Sequence, residues 1–304
     1  MDVDMSGKTA IVTGGNAGLG RICVDWLAAK GASVHMLCRN AERGEKARDE
    51  VIEASGNEEV HLHIVDCSVG RQVLDFAKDF AAGGHALDVL ILNAGVMVEE
   101  RKLTDEGFET TYATNLLCGS YLLLDRLIRS LQKASGSRVI VVSSGGMLTK
   151  KLDVSKLTGM KGSFDGTDAY AFTKRGQVYL TERYAAKFPG IKFVSMHPGW
   201  SDTPGVSRSM PGFKDKMGDN LRTPEQGADT VLWLSAVDSE RLENGEFYFD
   251  RKPADKHLNW NSTSVPETDV EKMMQLLAKD AASLDAKGDE NESGAASSEG
   301  ESSA

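Results

Sequence analysis

Short runs of Val, Ile and Leu alternate along this chain with longer segments in which apolar residues recur every three to four positions. The runs Thr9–Thr13, Ser33–Cys38, Val60–Val65, Val89–Asn93, Arg138–Ser143, Ile191–His197 and Glu246–Asp250 predict seven strands. The periodic segments Leu19–Lys30, Ala41–Ser55, Gln72–Ala82, Gly107–Gln132, Ala169–Lys187 and Pro224–Ala236 predict helices between them. Strands this uniformly apolar are covered on both faces, so the pattern predicts an α/β fold: a doubly wound, parallel, seven-stranded sheet with helices on both sides. No Pro/Gly/Ser-rich linker breaks the alternation, which predicts one domain over residues 6–252.

An extension, residues 253–284, follows. Its amphipathic segment Pro266 to Leu284 carries Val270, Met273, Met274, Leu276 and Leu277 at near-helical spacing and predicts a packing helix. Residues 285–304 hold six acidic groups against Lys287, five of the chain's net −10, and few apolar residues. That composition predicts a disordered acidic tail and excludes nucleic acid as a partner.

The rest of the composition is that of a soluble globular protein, with 40% hydrophobic and 26% charged residues among 304. Cys23, Cys38, Cys67 and Cys118 sit in apolar stretches without a Cys-x-x-Cys pair, as buried reduced thiols do. With no apolar run of the ~18 residues a membrane span needs, the expected location is the cytoplasm.

Chemistry enters directly after the first strand. The loop Thr13-Gly14-Gly15-Asn16-Ala17-Gly18-Leu19-Gly20 runs straight into a helical pattern. Such a loop lets the backbone turn tightly and approach a pyrophosphate, which then meets the free N–H groups and positive end of the helix. Gly14, Asn16, Gly18, Leu19 and Gly20 are therefore expected to line a dinucleotide. At the end of the second strand an acidic residue would bind the ribose of NAD; here stands Arg39, whose guanidinium suits a 2′-phosphate. The expected cofactor is NADP, with NAD possible; the plainer reading of Arg39 is a solvated surface charge.

The ordered set Thr13 to Gly20, Asn93-Ala94-Gly95, Asn115, Ser144, Tyr170 with Lys174, and Pro198-Gly199 with Thr203 resembles the short-chain dehydrogenases/reductases, a family with a Rossmann-type domain. It spans almost the whole predicted domain. The stretches Ser143 to Leu148, Met196 to Trp200 and Asp202 to Val206 resemble one member in particular. The resemblance implies an oxidoreductase that interconverts a carbonyl compound and its alcohol by hydride transfer.

Tyr170 and Lys174, four residues apart in a helix, emerge on one face one turn apart. An adjacent ammonium is expected to lower the phenol from its usual pKa near ~10, making Tyr170 a general acid. The resemblance adds that Lys174 also holds the nicotinamide ribose. Ser144 ends the fifth strand, where its hydroxyl would meet developing negative charge and bind substrate. Ser143 stands equally close, and the choice of Ser144 rests on the resemblance. Asn115 resembles the asparagine that bends the long helix and holds a water beside the lysine; Cys118 stands where many members have Gly. Asp66 resembles an adenine-contacting aspartate, its plain alternative being a cap with Ser68. Asn93, Ala94, Gly95, Pro198, Gly199 and Thr203 are expected to line the cofactor.

The insert between Ser144 and Tyr170 and the stretch Thr203 to Pro224 should wall the substrate pocket. Met147, Leu148, Phe164, Trp200, Met210, Phe213 and Met217 would make it apolar, so the expected substrate is a lipophilic carbonyl or alcohol. The alternative is a catalytically weak nucleotide-binding scaffold or redox sensor. His61 and His63 share a strand face without a third ligand in view, so no metal is expected. A homodimer is suggested only by analogy with the family.

Overall fold

The computed structural model describes residues 3–202, 221–258 and 263–298, with the backbone alone for 287–298. Its elements are β1 (Thr9–Thr13), α1 (Gly18–Ala29), β2 (Ser33–Cys38), α2 (Ala41–Ser55), β3 (Val60–Ile64), α3 (Gly70–Ala82), β4 (Val89–Leu92) and β5 (Arg138–Val142). Between β4 and β5 the long helix has three parts: α4 (Thr110–Tyr112), a π-helical stretch (Ala113–Leu122) and α5 (Leu123–Lys133). After β5 come α6 (Val154–Leu157), α7 (Gly166–Lys187), β6 (Lys192–Met196), α8 (Pro224–Ala236), β7 (Phe247–Phe249), β8 (Lys252–Pro253) and α9 (Glu267–Ser298).

The sheet order is β3-β2-β1-β4-β5-β6-β7-β8, parallel throughout except for the last pair. Each central strand sends alternate residues to opposite layers. Ile11, Val139 and Val141 meet α3, α5, α7 and α9 on one face. Ala10, Val12, Ile140 and Val142 meet α1, α2 and α8 on the other. Because β1 leads outward to β2 while β4 lies on its other side, the chain reverses direction between β1 and β4. The crevice at their carboxyl ends is where open α/β sheets bind ligands.

Three features differ from the sequence reading. Among the described residues there are eight strands rather than seven: Asp250 and Arg251, at φ 48° and 62°, form a two-residue turn that pairs Phe249 with Lys252 in antiparallel fashion. Asn-Gly is the usual signature of that turn, and Asp-Arg hides it. Arg222 binds Asp250 through two bonds of 2.5 and 2.8 Å and Arg251 binds Asp229, which hold two non-glycine residues in the left-handed region.

Second, the long helix is interrupted by the π-helical stretch, and the glycine that permits it is Gly119, one residue beyond Cys118. A Cβ at Gly119 would lie 2.1 Å from the Thr114 carbonyl, five residues back. Cys118 itself is fully buried in the core. Third, α9 runs to Ser298, past the expected end at Leu284, while 299–304 lie outside the described residues. Its Val270, Met273, Leu277, Ala281 and Leu284 join the core. Tyr112 donates to Asp280 at 2.9 Å and Arg126 pairs with Asp285 at 2.6 Å, fixing the helix across the π-helical layer.

Candidate active site

At the carboxyl edge of β1, Gly14 and Gly18 take φ of +68° and +55°, a region that L side chains rarely adopt. A Cβ on Gly20 would lie 2.3 Å from the Gly14 carbonyl oxygen and 2.5 Å from Asn93 Nδ2. The loop therefore closes only with glycine. Thr13 Oγ1 accepts from the amides of Asn93 and Ala94, each at 2.9 Å, and Asn93 Nδ2 donates to Thr13 O at 2.9 Å. These bonds fasten the end of β4 to the loop. Helix α1 begins at Gly18 with no side-chain cap from Ala17, so its first amides face the cleft with their hydrogens available. This cradle fits the pyrophosphate of a dinucleotide.

The cleft is a cavity of about 1040 Å3. Gly14, Asn16, Gly18 and Leu19 line one end with Arg39 and Asp66, Asn93, Ala94 and Gly95 lead across the middle, and Ser144, Tyr170, Lys174, Pro198, Gly199 and Trp200 line the other. The structure thus gathers the sequence-picked residues at one cavity, apart from Gly20 behind the loop, Asn115 beneath the floor, and Thr203, which lies outside the described residues. Asp66 also makes the local turn of its plainer reading, accepting from Ser68 N at 2.8 Å and Ser68 Oγ at 2.7 Å. Arg43 was not picked from the sequence, yet it lines the cavity with Arg39. Both are exposed; Arg43 lies one turn further along, where Asn40 caps α2 by accepting the Arg43 amide at 2.9 Å.

At the opposite end the two serines part. Ser143 is buried and its hydroxyl donates to the Lys174 carbonyl at 2.9 Å, a bond that ties β5 to α7. Ser144 turns into the cavity and hydrogen-bonds the Tyr170 hydroxyl. Its Oγ also accepts from Gly146 N at 3.2 Å, starting the 3₁₀ turn Gly145–Thr149.

Lys174 Nζ donates to Val142 O at 2.8 Å and lies 5.5 Å from the centroid of the Tyr170 ring. A Cβ on Gly95 would sit 3.3 Å from that Nζ and 3.5 Å from Asn115 Oδ1, so Gly95 lets both close in. The electrostatics differ from the simple expectation of a lowered phenol. Burial pushes the Tyr170 hydroxyl up, with the Ser144 bond pulling the other way, and burial brings the Lys174 ammonium down to about 7. Desolvation leads for both groups because each charged form loses water. At neutral pH the phenol keeps its proton and the amine is poised between states.

Asn115 lies in the π-helical stretch and is fully buried. Its side chain accepts from Val96 N at 2.8 Å and donates to Val96 O and Thr173 Oγ1 at 3.0 Å each. Its own carbonyl accepts from Gln177 Nε2 at 2.7 Å and Ser120 Oγ at 2.6 Å. Asn115 thereby stitches the loop after β4 to the face of α7 that carries Thr173 and Gln177.

Several expected rim residues lie elsewhere. Met147 is buried with Val178 and Phe247, and Phe164 sits under the Arg101 guanidinium rather than on the cavity. Leu148 and Trp200 do line it, and Val96, Met97, His197, Arg222 and Phe249 join them. Met210, Phe213 and Met217 lie outside the described residues. His197 stacks on Phe249 at 4.1 Å, and burial, then the Arg222 cation, bring its pKa down to about 4.

The sequence pattern of the family described as short chain dehydrogenase matches residues 8–211, two thirds of the chain. The chain belongs to that family. It is 46% identical over 278 residues to dehydrogenase/reductase SDR family member 12 of Homo sapiens, covering 91% of this chain and 87% of that one. It is 32% identical to retinol dehydrogenase 11 of Mus musculus, covering 82% of this chain and 79% of the relative. Among solved structures, a 3-ketoacyl-(acyl-carrier-protein) reductase from Brucella melitensis complexed with NADH superposes at TM-score 0.63, with 20% identity over 80% of this chain and 96% of that one. A chain described as a short chain dehydrogenase from Escherichia coli, complexed with NADPH, gives 0.64 at 22% identity over 80% and 96%. At these identities the two structures speak for the family fold alone.

Proposed function

We propose that this family oxidoreductase interconverts a lipophilic carbonyl compound and its alcohol with NADP(H) as its preferred nicotinamide cofactor. The observation that carries the reading is the convergence of Ser144, Tyr170 and Lys174 on the cavity that the glycine loop also lines. When bound, the nicotinamide gives or takes the hydride.

In the direction of reduction, Ser144 and Tyr170 would both donate hydrogen bonds to the carbonyl oxygen, on which negative charge grows. Tyr170 then gives up its proton, for which its protonated state at neutral pH is the required start. Lys174, buried beside the ring with its ammonium brought down to about 7, would stabilise the phenolate when protonated. Asn115 holds the adjoining loop and Thr173 in register with that pair. Support for NADP(H) comes from two exposed arginines, Arg39 and Arg43, at the end where an acidic residue would select NAD. Support for a lipophilic substrate comes from Val96, Met97, Leu148, Trp200 and Phe249 in the lining, and from a relative whose name is that of a retinol dehydrogenase.

Tyr170→Phe tests the assignment. Loss of the acid should lower NADPH oxidation with lipophilic aldehydes by ~10²–10⁴-fold, while NADPH affinity measured by fluorescence titration stays within about twofold. Wild-type turnover in that variant would sink the assignment of Tyr170, and no NADPH oxidation by the wild-type protein with any lipophilic aldehyde or ketone would favour a nucleotide-binding scaffold instead. Among the described residues no helix is long and apolar enough to cross a membrane.

A further inference from the structure

The largest fully buried side chain in the described protein is an arginine, Arg175, the neighbour of Lys174 in α7. A buried guanidinium usually faces a carboxylate, since its charge must be compensated. Arg175 instead spends its donors on uncharged oxygens. Nε donates to Met147 O at 3.2 Å and Lys150 O at 3.1 Å, and Nη2 donates to Met147 O at 2.8 Å. Nη1 donates to Lys256 O at 2.7 Å, and Nη2 also to Thr263 Oγ1 at 2.7 Å.

These acceptors belong to two pieces of chain that α7 also ties at their side chains, through Asp168 to Lys150 at 2.6 Å and through Glu182 to Lys256. Met147 and Lys150 belong to the turn that begins at Ser144, and Leu148, Thr149 and Lys150 of that turn line the cavity. Lys256 and Thr263 belong to the extension after the sheet. There Lys256 Nζ is pinned by Glu182 at 2.9 Å and Glu246 at 3.2 Å, and Thr263 Oγ1 meets His257 Nδ1 at 2.9 Å. Since Thr263 accepts from Arg175, its own proton is free for His257. One guanidinium therefore joins the catalytic helix, the serine-bearing turn and the C-terminal extension.

We propose that Arg175 is a positioning residue: by gripping the Met147 and Lys150 carbonyls and anchoring them to the C-terminal extension through Lys256 and Thr263, it fixes Ser144 and the Leu148 wall relative to Tyr170. The proposal rests on the reductase reading above. Its logic is that of near-attack geometry, in which about 1 Å of slack around the reacting carbonyl costs on the order of 10²-fold in rate. The fixed fork of a guanidinium suits it to several carbonyls at once, where a lysine ammonium offers one point charge. The dinucleotide end of the cleft shares no bond with Arg175, so the effect falls on turnover and substrate, not on cofactor affinity.

The test compares Arg175→Met, Arg175→Lys and Thr263→Val in the full chain. For each, kcat and KM with a lipophilic aldehyde, NADPH affinity by fluorescence titration, and hydrogen exchange at the Gly146 to Lys150 amides are measured. Arg175→Met should lower kcat about 10–100-fold and speed exchange in that turn, with NADPH affinity within about twofold of wild type. Arg175→Lys should recover part of the loss, and Thr263→Val should lower kcat about threefold. Parallel loss of kcat and NADPH affinity, or a lower melting temperature with kcat and exchange unchanged, overturns the proposal. If Arg175→Met does not fold, unchanged kcat, KM and exchange in Thr263→Val overturn it as well. A wild-type protein inert towards every carbonyl overturns the reductase reading instead; exchange in the turn then judges the grip alone, and wild-type exchange in Arg175→Met denies it.

Discussion

The two ends of the cleft are built from different materials. At the dinucleotide end the phosphate cradle is mostly backbone, glycines in left-handed conformations and uncapped amides of α1, tied to β4 by one threonine hydroxyl that accepts from two main-chain N–H groups. At the substrate end the walls are loops held by side chains reaching across the sequence, Arg175 to Met147 and Thr263, and Arg222 to Asp250. Backbone geometry leaves little freedom of residue type and so writes itself into the sequence. Side-chain ties between distant loops can be met by many residues in many places, and they leave no local signature.

The sharpest way to break this contrast is a single methyl at the backbone end. Gly20→Ala places a Cβ 2.3 Å from the Gly14 oxygen, a contact that only main-chain movement relieves. Dinucleotide affinity should fall more than ~100-fold, and stability by about 2–3 kcal/mol, within the range for overpacked sites. Gly199→Ala is the comparison at the other end. Its Cβ would meet Arg222 Nε at 2.7 Å, but that atom belongs to a movable side chain, so affinity should fall only about tenfold, the φ of +73° adding to the cost. Isothermal titration with NADPH on both variants checks the order; equal losses would deny that the two ends differ.

Next in size is cofactor choice. Arg39→Asp should reverse the preference between NADPH and NADH, with a combined shift of about 10–50-fold in the ratio of affinities, because one phosphate-binding charge is lost and a repelling one gained. Arg43→Ala should shift the ratio about threefold in the same direction. Fluorescence titration with both nucleotides measures it, and an unchanged ratio in Arg39→Asp would return that residue to the solvated surface.

The sequence disclosed the fold in the same uneven way. Seven strands were legible because strands buried on both faces read as apolar runs, as in Val89–Leu92 and Arg138–Val142. The eighth was hidden by Asp250 and Arg251, whose left-handed turn is held by ion pairs to Arg222 and Asp229, residues more than twenty positions away. The π-helical stretch was equally silent, since its apolar spacing reads as an ordinary helix; only the contact between Gly119 and Thr114 explains its turn. Of the candidate site, Tyr170, Lys174 and Ser144, picked by spacing and resemblance, line the cavity. Arg43 carries a weak signal, a second arginine one helical turn after Arg39. Arg175 carries none, because nothing in its neighbourhood says that it is buried.

The smallest expected effect tests whether the backbone-built half is uniformly robust. On the outer strands His35, His61 and His63 share one sheet face, with His35 Nδ1 2.9 Å from His63 Nε2 and His85 6.2 Å away between ring centroids. Phe76 and Phe80 cover the group, and Glu59, 3.3 Å from His61, is the carboxylate that pairs with it. Burial, then the neighbouring imidazoles, lower His35 to about 3. Its pKa in the unfolded chain is near ~6.5, so above that pH both states are neutral and nothing is gained or lost. As pH falls from ~6.5 towards 3 the unfolded chain takes up a proton that the folded protein refuses, and stability declines across that window. With allowance for solvent screening at a partly open site, the loss at pH 5 relative to pH 7 should be about 1 kcal/mol. Urea denaturation at the two pH values measures it, and His35→Leu should reduce the difference by about that amount, leaving the part that His63 and His197, also lowered by burial, contribute. An undiminished difference in that variant would move the acid sensitivity away from β2 and β3.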